Sequence, residues 1–352
     1  MTEIAVLGTN EKRIICGPTI NQLVPFRYPW AWEWYLDSNK NHWTPSDVNM
    51  APDISDYKFK LSADDRHLFI TMLATLTTAD IVALRNVSFA IIEKITAPEV
   101  QVAYTRHAFD ESVHQWTYQH CIEGLCLDPN EIYTLYQRVP EINAKFILAN
   151  RYLQGATEIN ELTTKAQIED FLYSLLFFCL IFEGVWFYNG FSPLLNFQRR
   201  GEMKGTGEQL QYILRDETNH VRLGVNVARA IIQENNITLD TARLHRMFKE
   251  AYDVNEVFIK YAMRAGGTAG LSLDQYLQHE RYMSNRRLAM IGIAPVFPGA
   301  DPTLKWLDEQ AGTNKEKNFF ESRVTEYQVG VNLDFGVTEV PKDKTKPLID
   351  WG

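Results

Sequence analysis

The sequence predicts an all-α protein: a four-helix bundle core with additional helices, an irregular N-terminal arm and a flexible C-terminal tail. Three observations carry this. Apolar residues recur at three- and four-residue spacing along most of the chain, while strand-like alternation is sparse. Proline and glycine break these stretches into helix-sized pieces. Two Glu-x-x-His steps, Glu111-Ser-Val-His114 and Glu217-Thr-Asn-His220, fall within two of those pieces, where both side chains of a step share one helix face.

The elements follow in chain order. Residues 1–61 read as an arm, interrupted by Pro18, Pro25, Pro29, Pro45 and Pro52. Ser62-Ala-Asp-Asp65 resembles a capping box, with Asp in place of Glu, and opens a helix that runs through Asp80 to about Ile95. Pro98 suits the first turn of the next helix, which carries Glu111 and His114 and ends near Gly124. A shorter stretch covers about Asn130 to Tyr152, and a further helix, from about Thr164 to Phe191, carries Glu183. After the Gly-rich loop Arg200 to Gly207, a helix from Glu208 to Asn235 carries Glu217 and His220. Two more helices fall near 240–264 and 273–291, split by Gly266-Gly-Thr-Ala-Gly270. The bundle thus occupies 62–292. Residues 293–352 form a C-terminal segment with Pro295, Pro298 and Pro302, ending in a charged, proline-bearing tail from Val340 to Pro347.

Bulk properties exclude several functions. A chain of 352 residues can bury a substantial core. A net charge of −9 without a basic block argues against nucleic acid. Met1 to Asn10 lacks the basic-then-apolar design of a signal peptide. The four cysteines, Cys16, Cys121, Cys126 and Cys179, show no paired metal-ligand spacing; Cys121 and Cys126 read as packed thiols, in keeping with a reducing cytoplasm. Phe171 to Phe191 is apolar and long enough to span a bilayer. Glu183 falls near its middle, however, and Tyr, Ser, Asn and two Gly interrupt it, so the expectation is the central helix of a soluble bundle and no membrane. A carboxylate buried on such a helix needs a partner.

A metal pair is that partner. Each Glu-x-x-His step has a lone carboxylate upstream on an apolar helix, Asp80 before Glu111 and Glu183 before Glu217. Four carboxylates and two imidazoles form the ligand set of ferritin-like di-iron and di-manganese bundles. Oxygen-rich donors with a few imidazoles suit Fe and Mn, and two divalent ions neutralise four carboxylates, which lets the site sit in a dry interior. Eight histidines would give about half an accidental Glu-x-x-His by composition, and Asp64-Asp-Arg-His67, read as a helix cap and solvated face, is such a near-match. The conjunction of two mid-helix steps with two upstream carboxylates is what decides.

At this point the residues match a known family. From about Trp43 to Tyr327 the chain resembles the small, radical-generating subunit of class I ribonucleotide reductase. The resemblance rests on an ordered set: Trp43-Thr-Pro, Asp80, Asp110-Glu-Ser-Val-His114 with Tyr118, Glu183-Gly-Val-Trp-Phe-Tyr188, Arg215-Asp-Glu-Thr-Asn-His220, Tyr282-Met-Ser-Asn-Arg-Arg-Leu288 and Phe319-Phe-Glu-Ser-Arg-Val-Thr-Glu-Tyr327. It implies that Asp80, Glu111, His114, Glu183, Glu217 and His220 are the metal ligands. It implies that the cluster reacts with O2, with an electron donor, and oxidises Tyr118 to a stable neutral radical. Tyr118 follows His114 by one helical turn on the same face. Phe187, Phe191 and Ile213 would wall the phenol off from water and reductants.

The resemblance further implies a homodimer that passes the radical to a large catalytic subunit, where ribonucleotides are reduced. The route out would use Trp43, held by Asp216 and His114, and then Tyr327. The apolar end, Leu348-Ile-Asp-Trp351, looks like a docking peptide for the large subunit. The tail beyond Tyr327 is longer than the family pattern. Some members carry Phe at the radical position, often with Glu in place of Asp80, and use a manganese–iron cluster. Tyr118 and Asp80 together favour a tyrosyl radical and two irons, oxo-bridged when oxidised, while Mn or a mixed Mn/Fe pair fits the same ligands. A stand-alone di-iron oxidase or oxygenase would use the same ligands but leave Tyr118, Trp43 and Tyr327 without a task. A ferritin-like storage bundle would need only about half of this chain.

Overall fold

Prolines in the N-terminal arm start helices as well as interrupting the chain. In the computed structural model, which describes residues 14–15, 28–158 and 162–307, Pro29 opens α1 (Pro29–Lys40) and Pro52 sits in the first turn of α2 (Ala51–Phe59), with a 3₁₀ turn at Pro45–Asp47 between them. The missing N–H of proline costs nothing at a helix start, where it would be unpaired anyway. The arm is therefore more ordered than its proline spacing suggests.

Ser62 caps α3 (Ala63–Lys94) by accepting from the Asp65 amide, and Pro98 opens α4 (Pro98–Gly124). The stretch read as one helix from about Asn130 is three: α5 (Pro129–Tyr133), α6 (Leu135–Arg138) and α7 (Pro140–Glu158), the last opened by Pro140. α8 (Lys165–Arg199) starts at a Thr164–Gln167 capping box and runs past Phe191, through Pro193. α9 (Lys204–Glu234), α10 (Thr241–Ala262) and α11 (Leu273–Ala289) complete the helices. The glycine-rich turn before α11 forms a two-residue hairpin, β1 (Gly267–Thr268) against β2 (Leu271–Ser272).

The core bundle is α3, α4, α8 and α9. α3 packs on α4 and on the C-terminal part of α8, α8 packs on α9, and α9 packs on α4. Two of these helices widen into π-helical turns, Val87–Ile91 in α3 and Phe177–Phe187 in α8. π turns inside α-helices concentrate at functional sites, and the second one contains Glu183. α3 and α8 are each long and apolar enough to cross a membrane, but the most apolar window of α8 is wholly buried inside the protein and that of α3 mostly so. Cys121 and Cys179 are buried free thiols and Cys126 is an exposed one.

The arm anchors the bundle. Met203, which precedes α9, has a left-handed backbone and no capping side chain. Asp53 from α2 substitutes for the cap: its carboxylate accepts from the Gly205 amide at 2.9 Å, and from the Thr206 amide at 2.7 Å and hydroxyl at 2.8 Å. Asp56 accepts from the Met203 amide at 3.0 Å. A carboxylate at a helix N-terminus also meets the positive end of the helix dipole. Lys145 of α7 reaches Asn255 of α10 at 2.6 Å, and Asn255 donates to Glu280 of α11 at 2.8 Å.

Candidate metal centre

Four helices bring six acidic and imidazole side chains to one dry point. Asp80 comes from α3, Glu111 and His114 from α4, Glu183 from α8, and Glu217 and His220 from α9; all six are buried. Their donor atoms form two groups that share Glu111. One contains Asp80, Glu111, His114 and Glu217; the other contains Glu111, Glu183, His220 and a further residue, His107. Within each group the donors lie within 4.8 Å of one another.

The two glutamates of the Glu-x-x-His steps span both groups. Glu111 points Oε2 at His114 Nδ1 (3.6 Å) and Oε1 at His220 Nδ1 (3.3 Å). Glu217 does the same in mirror image, Oε1 at His114 Nδ1 (3.3 Å) and Oε2 at His220 Nδ1 (3.5 Å). Two carboxylates that each offer one oxygen to either side, with an imidazole and a terminal carboxylate at each end, suit two ions side by side.

The unpaired atoms test that fit. Among the described residues no hydrogen bond reaches either oxygen of Asp80 or Glu217, Oε2 of Glu111 or Glu183, or Nδ1 of His114 or His220. Buried polar atoms left this way cost free energy unless something else binds them. All are donors to hard or borderline cations, and all converge. The imidazoles are held from behind: His220 Nε2 meets Asp110 Oδ2 at 3.4 Å, and His114 Nε2 stands 3.5 Å from Asp216 Oδ2. A carboxylate behind the remote nitrogen is the usual support of a metal-binding histidine, because it fixes tautomer and ring orientation. The supports are exchanged: the Asp before Glu111 holds the histidine of α9, and the Asp before Glu217 holds that of α4. Arg106 pairs with Asp110 at 2.7 Å and Arg215 with Asp216 at 3.2 Å.

Burial and mutual repulsion mark the carboxylates. Burial, then the Glu111 carboxylate, hold Asp80 well above the usual carboxylate range. Burial pushes Glu183 up to about 7, against the pull of His107. Burial alone would lower His114 and His220, but the surrounding carboxylates, Asp216 first for His114 and Asp110 first for His220, more than reverse this and hold both well above the ordinary imidazole value.

Comparison with known proteins agrees with this geometry. The family model for ribonucleotide reductase, small chain, matches residues 20–302. The β subunit of ribonucleoside-diphosphate reductase from Chlamydia pneumoniae is 36% identical over 320 residues, covering 90% of this chain and 92% of the relative. The chain belongs to the ribonucleotide reductase small-chain family. The β subunit from Treponema pallidum is 28% identical over 340 residues, covering 92% of this chain and 93% of that one. In structure, the R2 subunit from Clostridium botulinum superposes with a TM-score of 0.77 at 24% identity, covering 85% of this chain and 94% of that chain, which shows the shared helical fold.

This small chain places the other residues singled out in the sequence as follows. Tyr118, one turn beyond His114 on α4, is fully buried and its hydroxyl makes no hydrogen bond among the described residues. Burial, then the neighbouring Asp80 and Glu217 carboxylates, push its phenol well above the ordinary value. Trp43 is buried between α1 and the 3₁₀ turn; its indole Nε1 donates to Asp216 Oδ2 at 2.7 Å, and its ring lies 6.4 Å from that of His114, nearly parallel. Phe187 and Phe191 are buried neighbours on α8 with centroids 6.2 Å apart, and Ile213 of α9 is fully buried. Tyr327 and the segment Leu348 to Trp351 lie outside the described residues. Sequence reasoning missed His107, one turn before Glu111 on the same face of α4, and the supporting roles of Asp110 and Arg106. For Asp110 and Arg106 a signal was available: Arg-x-x-x-Asp-Glu-x-x-His parallels the Arg-Asp-Glu-x-x-His around His220.

Proposed function

We propose that Asp80, Glu111, His114, Glu183, Glu217 and His220 hold two metal ions, and that this centre serves to oxidise Tyr118 to a neutral radical. The radical is then relayed to a large catalytic subunit that reduces ribonucleotides to deoxyribonucleotides. The observation that carries this is the mirror arrangement of Glu111 and Glu217 between two carboxylate-backed imidazoles, with Tyr118 one turn away. Tyr118 and Asp80 favour two irons; Mn or a mixed pair fits the same donors. When bound, the ion pair supplies two of the four electrons that reduce O2, Tyr118 supplies one, and an external electron donor the last.

The protein's own groups set the conditions. Burial and the neighbouring carboxylates keep Tyr118 a protonated phenol before oxidation, and because a phenol that has lost an electron is a strong acid, it gives up that proton and a neutral radical results. Phe187, Phe191 and Ile213 supply apolar cover. The indole of Trp43 donates to Asp216, whose carboxylate stands 3.5 Å from Nε2 of His114, and this sequence of polar groups leads from a proposed metal ligand outward. Tyr327, beyond the described residues, is assigned the next step, and Leu348 to Trp351 the docking of the large subunit. The reducing cytoplasm suits its free thiols.

The test is anaerobic loading of the purified protein with Fe(II), followed by air. A sharp tyrosyl absorption and an electron-spin resonance signal are expected, both absent in Tyr118→Phe with two metal ions still bound. A signal that survives Tyr118→Phe removes Tyr118 from the role. R2-like ligand-binding oxidases share the fold at 15% identity and a TM-score of 0.62. Turnover with the large subunit, lost in Trp43→Phe with the radical intact, separates this chain from a stand-alone oxidase.

A further inference from the structure

His107 stands at the metal centre without belonging to the ligand pattern. It is fully buried on α4, one turn before Glu111, and its Nε2 lies 2.8 Å from Glu183 Oε1 and 3.2 Å from Glu111 Oε1. Its ring stacks on His220 at a centroid distance of 3.7 Å and an interplanar angle of 19°. The rings of Tyr104 and Phe178 also lie nearly parallel to it, at 5.8 and 6.0 Å. The imidazole is thus held in one orientation, aimed at two ligand oxygens.

Two readings fit such a place: a third imidazole ligand, or a hydrogen-bond donor to a ligand. Two measurements separate them. The Nδ1 atoms of His114 and His220 stand 3.3–3.6 Å from the carboxylate oxygens around them and make no hydrogen bond to any of them. His107 Nε2 lies at 2.8 Å from Glu183, the length of a charge-assisted hydrogen bond. His220 Nε2 is hydrogen-bonded to Asp110 and His114 Nε2 faces Asp216 at 3.5 Å without a hydrogen bond, whereas Nδ1 of His107 has neither a hydrogen bond nor a carboxylate beside it among the described residues. The support expected of a metal-binding histidine is missing.

We infer that His107 is a positioning residue that occupies one oxygen of Glu183, so that Glu183 binds its ion through Oε2 alone. A ligating carboxylate is deprotonated and can only accept, so the shared proton sits on His107 Nε2. Of the two terminal carboxylates, Asp80 keeps both oxygens free and can chelate, while Glu183 has only Oε2 free. The two ends of the centre are therefore unequal by construction, and His107 makes them so. The tie to Glu111 Oε1 likewise restrains one of the two glutamates that face both His114 and His220.

This rests on the ligand assignment above, and one experiment separates the two. The full chain is loaded anaerobically with Mn(II), alone, as wild type, His107→Gln and His107→Phe. Ions per chain, the affinity of the weaker ion, and the mode of Glu183 binding in crystals of each loaded protein are measured, with thermal melting to confirm folding. His107→Gln keeps an N–H donor and should hold Glu183 monodentate, with affinity within about threefold of wild type. His107→Phe should free Oε1, turn Glu183 to chelation or bridging, and weaken the second ion about 10- to 100-fold, the usual effect of losing an outer-shell partner. Monodentate Glu183 with wild-type affinity in His107→Phe overturns the inference, as does a loaded wild type in which His107 nitrogen is bound to manganese. Should His107→Phe fail to fold, a chelating or bridging Glu183 in loaded wild type or His107→Gln overturns it equally. A wild type that binds fewer than two ions sinks the ligand assignment itself.

Discussion

At the scale of single residues, the centre is a set of proton-binding groups waiting for cations. Glu183 titrates at about 7, Asp80 lies well above the carboxylate range, and His114 and His220 lie well above the ordinary imidazole value. Each ion must displace these protons before it can bind. The sign follows directly: a group with its pKa raised is protonated below that value, so metal affinity falls as pH drops through each of these values, that of Glu183 near 7 among them. Glu183 alone lowers affinity about eightfold between pH 7.5 and pH 6. Anaerobic calorimetry of Mn(II) binding in two buffers of different ionisation heat should show protons released at pH 6, more than at pH 7.5. No release at either pH would mean the ligands are already deprotonated. Six of these residues were legible in the sequence because the Glu-x-x-His spacing is a local signal and the apolar neighbours of Asp80 and Glu183 are unusual for carboxylates. His107 was not, since a lone histidine one turn before a motif reads equally well as core, and only the approach of α8 brings Glu183 to it.

At the scale of elements, the helices were legible wherever proline or a cap marked an end: Ser62, Pro98, Gly201 and the glycines from Gly266 to Gly270 fall where the chain turns, whereas Gly205 and Gly207, read as loop, lie in the first turn of α9, which starts at Lys204 and not at Glu208. Proline misled in the arm because position within a helix, not proline itself, decides whether it breaks one. The π-helical stretch at Phe177–Phe187 was not legible, because eleven residues that are apolar apart from Glu183 and Gly184 carry no periodicity from which a wider turn could be read. That stretch lies against α9 so closely that a Cβ on Gly224 would fall 2.4 Å from the Cβ of Cys179. Gly224 is there for proximity and not for its backbone freedom. Gly224→Ala must push α9 away from α8, and so Glu217 and His220 away from Glu183. Overpacking of this kind costs about 1–3 kcal/mol, or roughly 1–2 °C of melting temperature per kcal/mol in a chain of this size. A lower melting temperature and fewer than two tightly bound ions are expected; unchanged values for both would show that the contact relaxes elsewhere.

At the scale of the whole molecule, the outer face of α4 is unusual for a helix whose inner face carries the proposed metal ligands Glu111 and His114. Val102, Phe109 and Trp116 recur at seven-residue spacing and are exposed, and α3, packed against α4, adds the exposed Ile81 and Phe89. Large exposed aromatics gathered on neighbouring elements mark an interface more often than chance. A second copy of this chain is the partner the family provides, and the face of α3 and α4 is where we expect it to dock. Burying each aromatic is worth about 1.5–3 kcal/mol, so a charge in its place should weaken association by at least tenfold. Phe109 is the poorer probe, since Arg106 lies over its ring at 4.9 Å and also holds Asp110 behind His220. A glutamate at 109 would compete for that arginine and disturb the centre directly. Trp116 has no such link, so Trp116→Glu isolates the interface. Sedimentation should give about twice 40.6 kDa for the wild type and a concentration-dependent shift toward 40.6 kDa for Trp116→Glu, with two ions still bound per chain. A variant that remains dimeric at micromolar concentration would move the interface to another face, while a variant that dissociates and also loses an ion would show that dimerisation and the ligand geometry are coupled through α4.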